Sequence, residues 1–238
     1  MRESDFLAIV SHELRTPITV IVGLAATLTD RRDRLTDEQV DESLKQIRHQ
    51  GQRLGVLVAD LLDLSQLEAG RFRVTLSRVE LCRAVTLAVD DVPPPSGTWV
   101  NVEVPADLWV VADSGRLAQV LINLLTNAYR YGGSVVRVEA HDRSDHVLLT
   151  LTDDGEGVPE ELAGTLFEKH TRGDNAEIHP GSGLGLAIVR GFVEAFGGQV
   201  WYEPVLPSGA CFNLALRPAV GDSLEEAPAH KRGAGTLR

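Results

Sequence analysis

Cysteine is scarce in this chain: Cys82 and Cys211 are the only two among 238 residues. They lie far apart and show no paired spacing, which excludes a disulfide framework and a metal site built on cysteine. We expect both to be buried thiols of a cytoplasmic protein. Long apolar runs are also missing, since no stretch approaches the roughly 18 to 20 residues that a membrane-spanning helix needs.

Positive charge is in short supply as well. The chain has 23 Lys and Arg against 34 Asp and Glu, which gives a net charge of −11. This balance disfavours binding to a phosphate backbone, so we expect no nucleic-acid partner. The first residues, Met-Arg-Glu-Ser-Asp, also lack the basic and then apolar order of a signal peptide.

What the N-terminal part has instead is a regular apolar periodicity. Apolar residues recur at three- and four-residue steps over residues 6–28, and in nearly perfect heptads over residues 40–61. Between these stripes, Thr36 and Gln39 have the spacing of a capping box that starts a helix. The pattern predicts an antiparallel hairpin of two helices that ends at Gly70.

Each helix of such a hairpin has an apolar seam that one hairpin cannot cover. Two hairpins paired into a four-helix bundle would bury both seams, so we expect a homodimer. Packing of the hairpin on its own C-terminal domain is the alternative.

Beyond residue 71 the periodicity becomes mixed. Strands are predicted near residues 135–138, 147–151, 199–202 and 211–216, and helices near 81–90, 114–130 and 184–196. The predicted fold class is therefore α+β, with three segments. These are the helical hairpin over residues 1–70, an α/β sandwich over 71–217, and a tail over 218–238 that we expect to be disordered.

A histidine on the first helix, His12, lies about 200° around the helix from the apolar seam and should face solvent. Its neighbour Glu13 can hold one imidazole tautomer and accept its proton, and Thr16, one turn on, can position a water. Ordinary helix surface is the alternative for all three residues. The motifs further along the chain help to decide between a functional group and ordinary helix surface.

Two asparagines, Asn123 and Asn127, lie four residues apart on one face of the helix predicted over 114–130. Asn side chains among leucines are costly to bury without partners, and their carbonyl oxygens suit a hard cation such as Mg²⁺. A polar stripe on the helix surface is the alternative.

Asp153 follows a predicted strand and precedes Gly155 and Gly157. The glycines permit close approach of the backbone to a ligand, and the carboxylate can accept a hydrogen bond from an adenine amino group. The alternative is an ordinary acidic loop.

A second glycine-rich stretch opens the last predicted helix. Its members are Gly181, Gly183, Leu184, Gly185 and Leu186. Backbone amides at a helix N-terminus can cradle a polyphosphate, although the spacing is neither that of a P-loop nor that of a dinucleotide fingerprint. The segment before it, residues 166–179, has the length and composition of a mobile lid, in which Lys169 or Arg172 would reach the phosphates. A flexible loop and a charged surface loop are the alternatives.

In this order and spacing the motifs resemble the H, N, first glycine, F and second glycine boxes of bacterial sensor histidine kinases. The resemblance covers residues 2–217 and implies an ATP-binding domain of the Bergerat type joined to a dimerisation and phosphoacceptor hairpin. It implies an enzyme that transfers the γ-phosphate of ATP to His12 and then to an aspartate of a response regulator receiver domain. The spacing from Glu13 to Thr16 is similar to that of kinases that also dephosphorylate this regulator.

The resemblance also implies roles for single residues. Glu13 assists His12 as a base, and Asn127, helped by Asn123, holds Mg²⁺. Asp153 contacts adenine, Tyr131 packs near the base, Arg130 approaches the phosphates, and Gly183 to Leu186 shape the far hinge of the lid. We expect a sensor or membrane module to be missing from this chain or supplied by a partner.

Because His12 is on a separate helix, we expect the ATP-binding domain to swing on the joint at residues 69–73 until His12 is in line with the γ-phosphate. The residues leave two other functions open. One is an ATPase or protein serine kinase of the same fold in which His12 is incidental. The other is a dimeric scaffold without catalysis.

Overall fold

The computed structural model describes residues 3–169 and 183–219, with side chains described from residue 10 onward. Its N-terminal part is a hairpin of two long helices, α1 (Glu3–Asp30) and α2 (Asp37–Glu68), connected through a 3₁₀ turn at Arg32–Arg34. None of the described helices is long and apolar enough to cross a lipid bilayer. The helical hairpin predicted from the sequence is confirmed.

Both ends of α2 follow from local side-chain and backbone chemistry. The Thr36 hydroxyl accepts the N–H of Gln39 at 3.3 Å, and the Gln39 side chain accepts the N–H of Thr36 at 3.0 Å, which completes the predicted capping box. At the other end Gly70 has a φ of 61°, a conformation that strains residues with a Cβ. The N–H groups of Gly70 and Arg71 bond back to carbonyls of the last turn, so the helix ends there.

The apolar stripe of α2 is covered along one edge and exposed along the other. Ile47 and Leu54 are half-buried within the hairpin. Leu44, Val58 and Leu62 are 52%, 44% and 59% exposed. Exposed apolar side chains at this spacing are typical of a helix face that another helix covers.

The other described elements form the C-terminal unit. In chain order they are β1 (Ser77–Glu80), α3 (Leu81–Asp91), β2 (Trp99–Glu103), β3 (Trp109–Ala112), α4 (Ser114–Tyr131), β4 (Val135–Asp142), β5 (Val147–Asp153), α5 (Glu160–Ala163), α6 (Gly185–Ala195), β6 (Gln199–Pro204) and β7 (Ala210–Leu216). A mixed sheet has the strand order β2-β4-β5-β7-β6, in which β2 and β4 run parallel and the other neighbours antiparallel.

Helices cover one face of this sheet. α4 and α6 pack against it, α3 packs beside α4, and β1 and β3 pair as a separate antiparallel ribbon. Buried and half-buried side chains alternate along β5. Val147, Leu149 and Leu151 are each 1% exposed, and Asp153 continues the buried positions. Burying such a side chain contributes about 1.5 to 3 kcal/mol. The α+β fold class with an α/β sandwich is confirmed, and Asp153 lies at the inward-facing end of its central strand.

The expectations for the two cysteines and for the C-terminal tail have different outcomes. Cys82 and Cys211 are half-buried free thiols, not fully buried ones, because Cys82 lies on the partly solvated side of α3 and Cys211 on the sheet face opposite the helices. Pro218 and Ala219 continue past β7 to pair with β3. Residues 220–238 of the tail expected to be disordered lie outside the described residues.

A buried carboxyl group on α2 makes stability depend on pH. Asp60 is 6% exposed, and its burial, with a smaller effect of the neighbouring Asp63 charge, raises the pKa of Asp60 from its ordinary 3.8 to about 6. The fold therefore favours the protonated form. The stabilising contribution of the protonated Asp60 side chain is present below pH 3.8 and is lost as the pH rises through about 6.

Removing this charge should stabilise the protein at neutral pH. We expect Asp60→Asn to raise the free energy of unfolding at pH 7 by up to about 3 kcal/mol, since one pKa unit corresponds to about 1.4 kcal/mol. Below pH 3.8 the variant and the wild type should differ little. Chemical denaturation at both pH values measures the effect. A loss of stability at pH 7 would contradict it.

Candidate functional site

His12 lies on the outer face of α1, and its side chain is 76% exposed. The Glu13 side chain is 13% exposed, and its Oε1 lies 4.0 Å from His12 Nδ1. The other carboxylate oxygen accepts from Arg53 Nη2 at 3.4 Å. A carboxylate near Nδ1 favours the tautomer whose Nε2 carries the free electron pair. The arrangement can therefore present Nε2 to a phosphorus atom.

Arg53 is a part of this group that the sequence did not indicate. It lies 40 residues from Glu13 and meets it only because of the register of the hairpin. Thr16 uses its hydroxyl to donate to the backbone carbonyl of His12 at 3.1 Å. That bond fixes Thr16 one turn from His12, where its role toward a water stays a prediction.

The two predicted asparagines lie half-buried on α4, and Asn123 faces the start of α6. Asn123 Nδ2 donates to the carbonyl of Gly185 at 3.5 Å. Next to it, Gly183 has a φ of 65°, which favours glycine, and Leu184 is fully buried. The fold thus brings together two motifs that lie 62 residues apart.

Asp153 is the buried carboxylate of the site, at 5% exposure. Its Oδ1 accepts the N–H of Gly155 at 2.9 Å. Burial raises the pKa of Asp153, while hydrogen bonds from the N–H groups of Gly155 and Ala210 oppose that shift. A carboxylate has about four acceptor positions, so Asp153 can accept a further hydrogen bond from the amino group of a base.

The turn after Asp153 packs directly on the end of α4. A Cβ added at Gly155 would lie 2.5 Å from the carbonyl oxygen of Tyr131 and 2.6 Å from Cα of Gly132. Asp154, which the sequence did not single out, accepts the N–H of Val135 at 2.8 Å and so fixes the connection between α4 and β4. Close packing of backbone on backbone holds Asp153 at a set distance from the asparagine helix.

The same helix end carries the predicted contacts to base and phosphates. The guanidinium carbon of Arg130 lies 6.0 Å from the ring centroid of Tyr131, which is 51% exposed. Gly157, beyond the turn, has a φ of 81°, and a Cβ there would lie 2.8 Å from the carbonyl oxygen of Gly209. Only glycine fits that position without strain.

The predicted lid is described at its start alone. Phe167 packs edge-on against Phe212 with ring centroids 6.4 Å apart, and Lys169 forms an ion pair with Glu68 at the end of α2. In this structure Lys169 therefore contacts the hairpin. Arg172 and Gly181 lie outside the described residues.

The donor atoms fit a magnesium ion that is shared with a nucleotide. Within the described ranges, 3–169 and 183–219, no group of three or more His, Cys, Asp and Glu side chains could hold a metal by itself. Mg²⁺ is usually bound by one or two protein oxygens together with phosphates and waters. Asn127 can supply such an oxygen. The Asn123 amide, which is engaged with Gly185, can support it.

Two family descriptions match this chain. The "His Kinase A (phospho-acceptor) domain" matches residues 2–70, and the "Histidine kinase-, DNA gyrase B-, and HSP90-like ATPase" matches residues 112–220. Over 224 residues the chain is 34% identical to sensor protein KdpD of Escherichia coli (strain K12), which covers 92% of this chain. The chain spans only 25% of the length of KdpD.

Solved structures agree with these matches. Acinetobacter baumannii histidine kinase AdeS has a TM-score of 0.67 at 26% identity, covering 87% of this chain and 97% of AdeS. Full-length ShkA, solved in complex with AMPPNP, has a TM-score of 0.66 at 26% identity. It covers 93% of this chain, which covers 47% of ShkA.

Proposed function

The chain belongs to the sensor histidine kinases and contains their catalytic core, and we propose that it phosphorylates its own His12 from ATP and passes the phosphate to an aspartate of a response regulator. The observation that carries the proposal is an exposed His12 beside a largely buried Glu13 that pairs with Arg53, in one chain with an ATPase-like sandwich. A structural histidine needs neither neighbour.

On the nucleotide side, each described motif has a task that its geometry supports. Asp153 accepts a hydrogen bond from the amino group of adenine, Tyr131 packs near the base, and Arg130 approaches the phosphates. The N-terminus of α6 provides backbone N–H groups for phosphate oxygens. Asn127, with help from Asn123, would hold Mg²⁺, which would supply positive charge against the phosphates.

On the acceptor side, Glu13 keeps the proton on Nδ1 and stabilises the imidazolium that forms. Nε2 of His12 forms a bond to the γ-phosphorus, and the bond from that phosphorus to the β,γ-bridging oxygen breaks, releasing ADP. The phosphoramidate then passes its phosphoryl group to a carboxylate of a receiver domain. In a separate reaction on that regulator, Thr16 would orient a water that hydrolyses the phosphoaspartate to aspartate and inorganic phosphate.

The partners in this proposal are a second copy of the chain and a receiver domain. The exposed Leu44, Val58 and Leu62 lie on one side of α2, which suits burial in a dimeric four-helix bundle. Whatever module senses the stimulus is expected on a longer chain or a partner, and the reaction is placed in the cytoplasm.

A transfer experiment tests the proposal. The protein is labelled with γ-labelled ATP, freed of nucleotide, and mixed with a set of purified receiver domains. We expect the label to move within minutes to one or a few of them. A label that is stable in acid would indicate a serine kinase instead, and nucleotide binding without any label would indicate a scaffold.

The packing of the first glycine turn gives a second test. Gly155→Ala should weaken ATP binding roughly tenfold, because the new Cβ pushes the turn with Asp153 away from Tyr131 and Gly132. Gly164→Ala is the matched control, since its Cβ would meet nothing within 4 Å. Titration with a fluorescent ATP analogue measures both variants. Equal affinity in both would show that the turn does not position the nucleotide.

A further inference from the structure

The C-terminal end of α2 is held on the sandwich by a charged contact that the sequence did not indicate. Arg116 Nη1, in the first turn of α4, donates to Asp63 Oδ2 at 2.8 Å. Gln119 Nε2 donates to the same oxygen at 3.2 Å, and its own Oε1 accepts from Arg116 at 3.0 Å. Asp63 is 6% exposed and the Arg116 side chain is 33% exposed, so the carboxylate of this pair is shielded from water while the guanidinium is partly solvated. A shielded, charge-assisted pair is stronger than a surface ion pair.

The same arginine also touches the joint between the two units. Its guanidinium carbon lies 5.1 Å from the ring centroids of both Phe72 and Phe192, and these rings stack at 4.9 Å. Phe72 belongs to the joint and Phe192 to α6. Beside them, a Cβ at Gly191 would lie 2.5 Å from Leu67 of α2, so the helices are in close contact. One side chain therefore connects hairpin, joint and sandwich.

We call this set of interactions the docking contact; its members are Asp63, Arg116, Gln119, Phe72 and Phe192. While the docking contact is formed, the sandwich does not cover His12. His12 is 76% exposed, whereas a histidine in line with a γ-phosphate lies against bound nucleotide. The sandwich must therefore move before it can transfer phosphate to the His12 of its own chain. Because Asp63 belongs to the hairpin and Arg116 to the sandwich, a rotation at the joint would separate this pair.

We infer that Asp63 and Arg116 are positioning residues that hold the ATP-binding domain away from the His12 of the same chain, and that their separation is a step of autophosphorylation within that chain. The inference rests on the proposed function. It assigns the polar pair a role in the rate of transfer and none in nucleotide affinity, because Arg116 lies nearly two turns along α4 from the nearer asparagine.

The chain offers its own reporter of docking. Arg71 and Arg73 are exposed trypsin sites on either side of the half-buried Phe72. Cleavage of such a site follows the fraction of molecules in which the segment is released. We expect Arg116→Ala and Asp63→Asn each to raise the rate of cleavage roughly fivefold. The initial rate of autophosphorylation at saturating ATP should rise by a similar factor, and the Kd for ATP should stay unchanged.

Two further proteins separate positioning from general loosening. The exchanged pair, Asp63→Arg with Arg116→Asp, should bring both rates back toward wild type, because the ion pair is restored with opposite polarity. Arg190→Ala is the matched control, since Arg190 pairs with Glu194 at 2.8 Å within α6 and is exposed. It should change neither rate.

The outcomes are distinct. Faster cleavage with slower autophosphorylation would show that the docked arrangement is the transferring one and overturn the inference. Unchanged cleavage in both single variants would overturn it as well. If the wild type binds ATP but never becomes labelled, the proposed function fails, while cleavage still reports on the docking contact.

Discussion

We expect His12→Gln to abolish autophosphorylation while ATP binding stays at the wild-type level. Gln keeps a polar side chain on the exposed face of α1 but has no nucleophilic nitrogen, so the phosphorus has no acceptor. Incorporation of label from γ-labelled ATP should fall by more than about 100-fold. The Kd for a fluorescent ATP analogue should not change, because His12 and the nucleotide motifs belong to different units.

The hairpin offers a matched control for this variant. His49 is an exposed histidine on α2, and His49→Gln should leave the labelling rate unchanged. Retention of label in His12→Gln, with loss in His49→Gln, would transfer the acceptor role to the second helix. Equal retention in both would show that neither histidine is the acceptor.

Asn127→Ala is expected to have the second-largest effect. The variant loses the amide oxygen that we propose binds Mg²⁺, and phosphoryl transfer depends on that ion to neutralise developing charge. We expect the rate of labelling to fall by roughly 100-fold, and increased Mg²⁺ should restore part of it. Steady-state labelling over a range of Mg²⁺ concentrations measures both effects.

Two other asparagines place this result in context. Asn123→Ala should lower the rate of labelling less than Asn127→Ala does, because the Asn123 amide donates to the carbonyl of Gly185 and acts through the start of α6. Asn101 is exposed on β2, so Asn101→Ala should behave as the wild type. A larger loss in Asn123→Ala than in Asn127→Ala would reverse the proposed roles of the pair.

Elements with their own local signals could be predicted from the sequence. α2 starts at the Thr36 capping box and ends before Gly70, each set by bonds within a few residues. The alternation of β5 is also local. β1 and β3 were missed, because each has four residues and their pairing joins Ser77 to Ala112 across the chain. β2 was missed as a short, mostly exposed edge strand.

The residues of the candidate site also fall into those that the sequence indicated and those that it did not. Residue types and motif order indicated His12, Asn127 and Asp153, because these side chains carry their chemistry in themselves. Arg53 and Arg116 were missed, since each acts through a partner 40 or 53 residues away. Such pairs depend on the register of the hairpin and on the docking of one unit on another, for which an isolated arginine in the sequence gives no signal.

The position of the phosphate decides whether this chain works as proposed. The wild-type protein is incubated with ATP and Mg²⁺, digested at neutral or alkaline pH, and the phosphorylated peptide is sequenced by tandem mass spectrometry. We expect one phosphoramidate, acid-labile and base-stable, on His12. An acid-stable phosphate on a serine or threonine, or a phosphohistidine elsewhere in the chain, would contradict the assignment of His12 as the phosphoacceptor.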